Sequence, residues 1–176
     1  MKISPLALAP LLSILFQPLR AEDWKKTLDR ELPLLGHRNW IVVVDAAYPL
    51  QTSPGIETIS TGADLPEVLQ AVLRELAKAP HVRPNVFVDA ELSRVPESDA
   101  PGVTAYRADL AKALGGAKAT PVPHEQLIAR LDEAGKSFHI LLLKTRLCIP
   151  YTSVFLQLDC AYWGAASEKR LREAGP

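Results

Sequence analysis

The chain has 176 residues, of which 48% are hydrophobic and 23% are charged, with 20 basic and 20 acidic side chains. This length is enough for one domain with one sizeable core. The balanced charge, without a Lys/Arg cluster, argues against a nucleic-acid-binding protein. The two cysteines, Cys148 and Cys160, do not make a disulfide-dense scaffold. We expect both to be buried as small apolar residues, although a disulfide after export stays possible.

Residues 1–21 have the order of a secretory signal peptide. Lys2 is followed by an apolar stretch, residues 6–16, that is too short to span a bilayer, and Ala21 offers a small residue at the end. This order predicts a periplasmic or secreted protein that has no membrane association once the segment is removed. The alternative is a cytoplasmic protein with an extra N-terminal helix that packs on the domain or on a neighbouring subunit.

From residue 22 the sequence alternates between helical and strand-like segments. Trp24, Leu28 and Leu35 recur at helical spacing, and Gly36 is a suitable end for that helix. Residues 41–45, IVVVD, then predict a strand that is apolar on both faces.

The following segments continue this alternation. The spacing of leucines and valines predicts a clear helix over 64–79, in which Asp64 and Glu67 have the spacing of a capping box. Further helices are predicted over 103–114 and 124–135, and further strands over 85–90, 117–122, 138–144 and 153–159.

The pattern as a whole predicts one α/β domain over residues 22–166, followed by a charged, solvated helical tail over 167–176. Strands that alternate with helices indicate a largely parallel sheet with helices on both faces.

In largely parallel sheets, ligands bind beyond the carboxyl ends of the strands, which makes Asp45 a candidate site residue. His37 lies before the same strand. An extended strand rises about 3.3 Å per residue, so the two side chains can share a pocket only if the chain curls back or a neighbouring subunit contributes one of them.

Other polar residues also lie at the edges of predicted elements. His124 opens a helix after Pro123, and Tyr151 lies in a loop between two apolar strands. Each candidate has a structural interpretation as well: His37 as a helix-end residue bonded to a carbonyl, Asp45 as a loop cap, His124 as a helix start, and Tyr151 as cover for the edge of the core. We assign structural roles to His81 and His139, and no sequence motif indicates a metal site.

Three segments in a fixed order resemble the D-ribose pyranase and L-fucose mutarotase family. They are the GH that precedes an apolar strand and DAAYP, the HEQ that opens a late helix, and CIPYTSVFLQL near the C-terminus. The resemblance extends over residues 28–161. It implies an α/β fold in a large ring-like homo-oligomer, with monosaccharide sites between neighbouring subunits.

The resemblance also implies roles for five residues. His37 matches the family's proton donor, and Asp45, His124, Tyr151 and Ser153 match positions that bind the sugar. Interconversion of sugar ring forms or anomers needs no cofactor: one group removes the proton of the anomeric hydroxyl while another protonates the ring oxygen. Histidine suits this chemistry because its ordinary pKa, about 6.5, lets it give and take a proton near neutral pH.

Two positions depart from the family pattern. Ser153 occupies the place of the family's asparagine, and Arg146 stands where many members have glycine. The expected function is therefore a cofactor-free monosaccharide isomerase, and the alternative is a carbohydrate-binding protein on the same fold that does not catalyse.

Overall fold

The computed structural model describes residues 23–175, so the predicted signal peptide lies outside the described residues. None of the helices within 23–175 is both long and apolar enough to cross a membrane. Two short 3₁₀ turns, Leu32–Leu34 and Ala90–Arg94, accompany the helices and strands. The helices are α1 (Trp24–Glu31), α2 (Leu65–Lys78), α3 (Val103–Leu114), α4 (His124–Ala134) and α5 (Ala165–Glu173), and the strands are β1 (Trp40–Val44), β2 (Ile56–Ser60), β3 (Val82–Asp89), β4 (Ala119–Val122), β5 (Ile140–Lys144) and β6 (Val154–Cys160).

The strands form one sheet in the order β2-β5-β1-β6-β3-β4, in which only β6 runs against its neighbours. The predicted, largely parallel sheet is thus confirmed. Val154, at the start of β6, pairs with Val43 near the end of β1 and with Val88 near the end of β3. The chain segments that follow β1 and β3 and the one that precedes β6 therefore meet at one edge of the sheet, the edge formed by the carboxyl ends of β1 and β3.

Helices cover both faces of the sheet, as the alternation of elements predicts. On β1, Ile41 and Val43 pack with apolar residues of α1, α2 and α3 on one face. Trp40, Val42 and Val44 pack with Leu127 and Leu131 of α4 on the other face. Because all five positions of β1 are buried, the strand needs apolar residues throughout and shows no alternation.

Several local expectations differ from the structure. The edge strand β2 has only one buried residue, Ile59, so its pattern did not indicate a strand. The side chain of Asp64 makes no capping hydrogen bond and instead lies 3.6 Å from the guanidinium of Arg146. The expected burial of both cysteines is wrong: Cys148 is exposed and Cys160 is partly exposed, and both are free thiols.

Gly55 fixes the edge strand β2 to the rest of the sheet. Its N–H donates to the carbonyl of Gly135, and its carbonyl accepts from the N–H of Ile140, each at 2.8 Å. A Cβ atom on Gly55 would lie only 2.2 Å from the carbonyl oxygen of Phe138. Main-chain atoms cannot move aside as a flexible side chain can, so this position requires glycine.

We expect Gly55→Ala to lower the free energy of unfolding by about 1–3 kcal/mol, because the added methyl group must push away the main chain at Phe138. Urea unfolding of purified protein measures this loss. Gly164→Ala is the matched control, since nothing lies within 4 Å of its added Cβ. Equal stability of the two variants would contradict the prediction.

Candidate active site

Asp45 and Ser153 lie together at the edge of the sheet where β1 ends and β6 begins. One carboxylate oxygen of Asp45, Oδ1, accepts a hydrogen bond from the N–H of Ala47 at 2.8 Å. The other, Oδ2, accepts from the hydroxyl of Ser153 at 3.2 Å. Both residues are buried within the described chain. Asp45 therefore caps its loop, and each of its oxygens keeps a lone pair for a further donor.

His124 is held at the same edge by two carboxylates. Its main-chain N–H at the start of α4 donates to the carboxylate of Glu91, with the shorter contact at 3.1 Å. Its ring nitrogen Nδ1 lies 2.9 Å from Oδ1 of Asp89, the last residue of β3. When Nδ1 carries the proton in this contact, Nε2 has a free lone pair. The arrangement orients the imidazole and leaves one nitrogen available for a ligand.

Two tyrosines stand edge-on to the His124 ring. The ring centroids lie 5.5 Å away for Tyr151 and 6.1 Å away for Tyr48. Tyr151 has a φ of 59°, in the left-handed region that non-glycine residues rarely adopt, and its side chain is partly exposed. The hydroxyl of Tyr48 donates to Gln51, and burial raises the pKa of Tyr48 well above its usual range. Tyr48 is therefore a neutral hydrogen-bonding group at any physiological pH.

Asp89 carries the most perturbed carboxyl of this cluster. Burial raises its pKa from 3.8 to about 6, although the hydrogen bond with His124 acts in the opposite direction. Its second oxygen, Oδ2, is buried and has no hydrogen-bond partner among residues 23–175. A strongly shifted group in contact with a candidate sugar-binding residue is typical of a functional site.

The raised pKa predicts that Asp89 makes folding less favourable as pH rises from about 4 to about 6. In this range the folded state binds more protons than the unfolded state, so stability from this group is present at low pH and is lost with rising pH. The loss is at most about 3 kcal/mol, since one pKa unit corresponds to about 1.4 kcal/mol. Urea unfolding between pH 4 and 6, compared with Asp89→Asn, isolates this contribution because other titrating groups are shared. A stability difference that does not change with pH would contradict the assignment.

His37 lies at the opposite edge of the sheet. Its Nδ1 is 3.0 Å from Oδ1 of Asp159, whose other oxygen accepts from the guanidinium of Arg83 at 3.1 Å. Partial burial acts to raise the pKa of Asp159, but the hydrogen bonds from Arg83, the Cys160 backbone and His37 together hold it below its usual range. The carboxylate is thus ionised and orients the exposed imidazole of His37. The next residue, Arg38, has a φ of 76°, a second left-handed position beside a candidate residue.

Strand β6 gives the separation between these two groups. Ser153 immediately precedes β6, and Asp159 lies near its end. Six residues of extended chain correspond to about 20 Å. The structure therefore brings Asp45, Ser153, His124 and Tyr151 to one edge of the sheet and places His37 at the other.

Two cavities border His37. One, of about 600 Å³, lies between the sheet and α4 and is lined by Trp40, Arg130 and Gln157 among others. The second, of about 740 Å³, is lined by Asp159 and by the exposed aromatic residues Tyr162 and Trp163. Both volumes lie in the range of small-molecule sites.

Sequence reasoning did not identify several residues of these sites. Asp89 ends β3 as Asp45 ends β1, so the same rule about the carboxyl ends of strands could have identified it. Asp159 and Trp163 carry no comparable signal, because their proximity to His37 depends on the antiparallel direction of β6. That direction follows from the tertiary structure.

Residues 25–160 match the RbsD / FucU transport protein family. The chain belongs to this family. The membership predicted from the three sequence segments is thereby confirmed, and α5, Tyr162 and Trp163 lie beyond the matched region. No curated protein matches the chain significantly.

Solved structures of RbsD / FucU proteins are similar to this chain. RbsD of Bacillus subtilis, complexed with D-ribose, is 22% identical with a TM-score of 0.52, over 76% of this chain and 91% of that one. The fucose mutarotase of Streptococcus pneumoniae, in complex with L-fucose, is 21% identical with a TM-score of 0.47, over 78% and 91% of the two chains. FucU of Bifidobacterium longum is 16% identical with a TM-score of 0.49, over 76% and 94%. The similarity to the Bacillus subtilis protein supports the α/β fold.

Proposed function

We propose that this protein interconverts the ring forms or anomers of a monosaccharide of the ribose or fucose type by histidine acid/base catalysis, without a cofactor. The observation that carries the proposal is a pair of histidine–carboxylate contacts, His37 with Asp159 and His124 with Asp89. Both histidines use Nδ1 for the carboxylate, so both have Nε2 available for a sugar. Membership of the RbsD / FucU family supports the same conclusion.

The reaction needs two proton transfers. Nε2 of His124 accepts the proton of the anomeric hydroxyl, while His37 in its protonated form donates a proton to the ring oxygen as the ring C–O bond breaks. The open-chain aldehyde then rotates about its C1–C2 bond and closes again when a sugar hydroxyl attacks C1. That hydroxyl returns its proton to His37, and His124 returns its proton to the aldehyde oxygen, so both histidines regain their starting states. Aspartates 89 and 159 stabilise the charged imidazoles, and positioned proton transfer of this kind contributes about 10²- to 10⁴-fold.

The separation of about 20 Å between the two edges of the sheet requires a second subunit in this mechanism. We propose a homo-oligomer in which His37 of one subunit faces His124, Asp45 and Tyr151 of its neighbour. A sugar at such an interface would contact the partly exposed Tyr151 ring and the remaining lone pairs of Asp45. Ser153 would act chiefly by holding Asp45, since it is buried against that carboxylate.

Saturation-transfer NMR across a panel of pentoses and hexoses tests the proposal. At least one sugar of the ribose or fucose type should exchange between ring forms or anomers about 10²-fold faster with enzyme than in buffer. If no sugar of the panel exchanges faster than in buffer, the catalytic proposal is wrong.

Ser153 favours one alternative, a protein that binds a sugar without turnover. The hydroxyl at this position bonds to Asp45, whereas an asparagine would offer an amide with both a donor and an acceptor to the sugar. Saturable binding in calorimetry, without accelerated exchange, would support this alternative.

We also propose that residues 1–21 direct export to the periplasm or the medium. The order of a basic residue, an apolar stretch and a small residue supports this proposal. Mass determination of the protein from the culture fractions tests it, since export should produce a chain shortened by about these residues. A full-length chain confined to the cytoplasm would contradict it.

A further inference from the structure

Three potential metal ligands meet at the edge of the sheet where β5 begins. Glu31 ends α1, Glu57 lies in β2, and His139 directly precedes β5. Nε2 of His139 is 3.5 Å from Oε2 of Glu57 and 4.0 Å from Oε2 of Glu31, and the three ligand atoms all lie within 4.8 Å of one another. The residues are far apart in sequence, so no spacing motif marks them.

The imidazole of His139 has one ring nitrogen without a hydrogen-bond partner within residues 23–175. This atom, Nε2, is buried. The two carboxylate oxygens lie 3.5 and 4.0 Å from this nitrogen, beyond the distance of a good hydrogen bond. A buried polar atom in this condition calls for an explanation, and a bound ion would supply one.

We propose that Glu31, Glu57 and His139 bind one divalent transition-metal ion such as Zn²⁺. Zinc binds histidine nitrogen and carboxylate oxygen at about 2.0–2.2 Å, so tetrahedral ligands lie about 3.4 Å apart. The contact between His139 and Glu57 already has this separation, and the contact with Glu31 exceeds it by about half an ångström. The three ligand atoms lie within 4.8 Å of one another, so a change in the Glu31 rotamer would be needed to bring its oxygen to the ion. Water would take the fourth position because all three side chains are partly exposed.

The charges around the site favour a cation. Two carboxylates face one imidazole, and Arg30 contacts the other oxygen of Glu31, Oε1. Oε2 of Glu31 is therefore left for the ion. Nitrogen and oxygen ligands together suit Zn²⁺ and its first-row neighbours better than Ca²⁺ or Mg²⁺, which prefer oxygen ligands alone.

The ion would tie three elements together. It would join the C-terminal end of α1 to the edge strand β2 and to the start of β5. Because the unfolded chain cannot assemble these ligands, binding would stabilise the fold by mass action. The site lies on elements outside the sugar-site residues, so it does not depend on the proposed isomerase activity.

Calorimetric titration of the purified, chelator-treated chain with Zn²⁺ tests the proposal. We expect one ion per chain, visible d–d absorption bands when Co²⁺ replaces Zn²⁺, and a rise in the unfolding temperature on addition of the metal. Glu57→Gln and His139→Ala should each weaken binding at least ten-fold and remove the Co²⁺ bands. Glu57→Gln keeps the shape of the side chain, so it remains informative if His139→Ala fails to fold.

His37→Ala is the matched control, because His37 is also an imidazole in contact with a carboxylate but is not one of the three ligands. Its Zn²⁺ stoichiometry and affinity should equal those of the unaltered chain. The proposal is overturned if Zn²⁺ fails to bind at micromolar concentrations, or if Glu57→Gln and His139→Ala both bind it unchanged. It is also overturned if NMR shows that the His139 imidazole is protonated and keeps its proton when Zn²⁺ is added.

Discussion

We expect His37→Ala to lower the rate of sugar ring exchange by about 10²- to 10⁴-fold, to the rate in buffer, and to leave the fold unchanged. The physical reason is that the variant loses the group that we propose to protonate the ring oxygen. The fold should survive because the His37 side chain is more than half exposed. Saturation-transfer NMR measures the exchange rate, and urea unfolding verifies the fold.

Asp159→Asn separates the role of the carboxylate from that of the imidazole. Asparagine keeps the oxygen that bonds to Nδ1 but removes the charge that stabilises protonated His37. We therefore expect a rate between those of the unaltered enzyme and His37→Ala, and a pH–rate profile whose alkaline limb moves to lower pH.

For the His37→Ala variant, an exchange rate within two-fold of that of the unaltered enzyme would refute His37 as the acid.

Mixed oligomers of His37→Ala and His124→Ala chains should recover activity that neither variant has alone. If each site takes His37 from one subunit and His124 from its neighbour, random assembly of equal amounts leaves about one quarter of the sites with both histidines. Co-expression with two different affinity tags yields the mixed species. The exchange rate per site should then reach about one quarter of the unaltered value.

The double variant His37→Ala/His124→Ala, assembled in the same way with either single variant, is the control and should stay inactive. Verified mixed oligomers without recovered activity would show that the sites are not shared between subunits. Light scattering that finds only monomers would have the same meaning. The sugar-exchange proposal would then need a single-chain site at His124 and Asp89 alone.

Much of this fold was predictable because its elements have strong local patterns. The run of β-branched residues in β1, the leucine stripe of α2 and the glycine that ends α3 each specify their element without distant partners. Strand β2 was missed because an edge strand buries little apolar surface, and its position depends on the tight contacts of Gly55.

The sequence by itself determined the family, the α/β class and the positions of Asp45 and His124 at the ends of elements, because these follow from local spacing and from motifs in a fixed order. Only the tertiary structure decided which side chains meet. The antiparallel direction of β6 pairs His37 with Asp159 at one edge and Ser153 with Asp45 at the other. Contacts across about 120 residues, such as that of His37 with Asp159, depend on how strands pair, and no local pattern encodes that pairing.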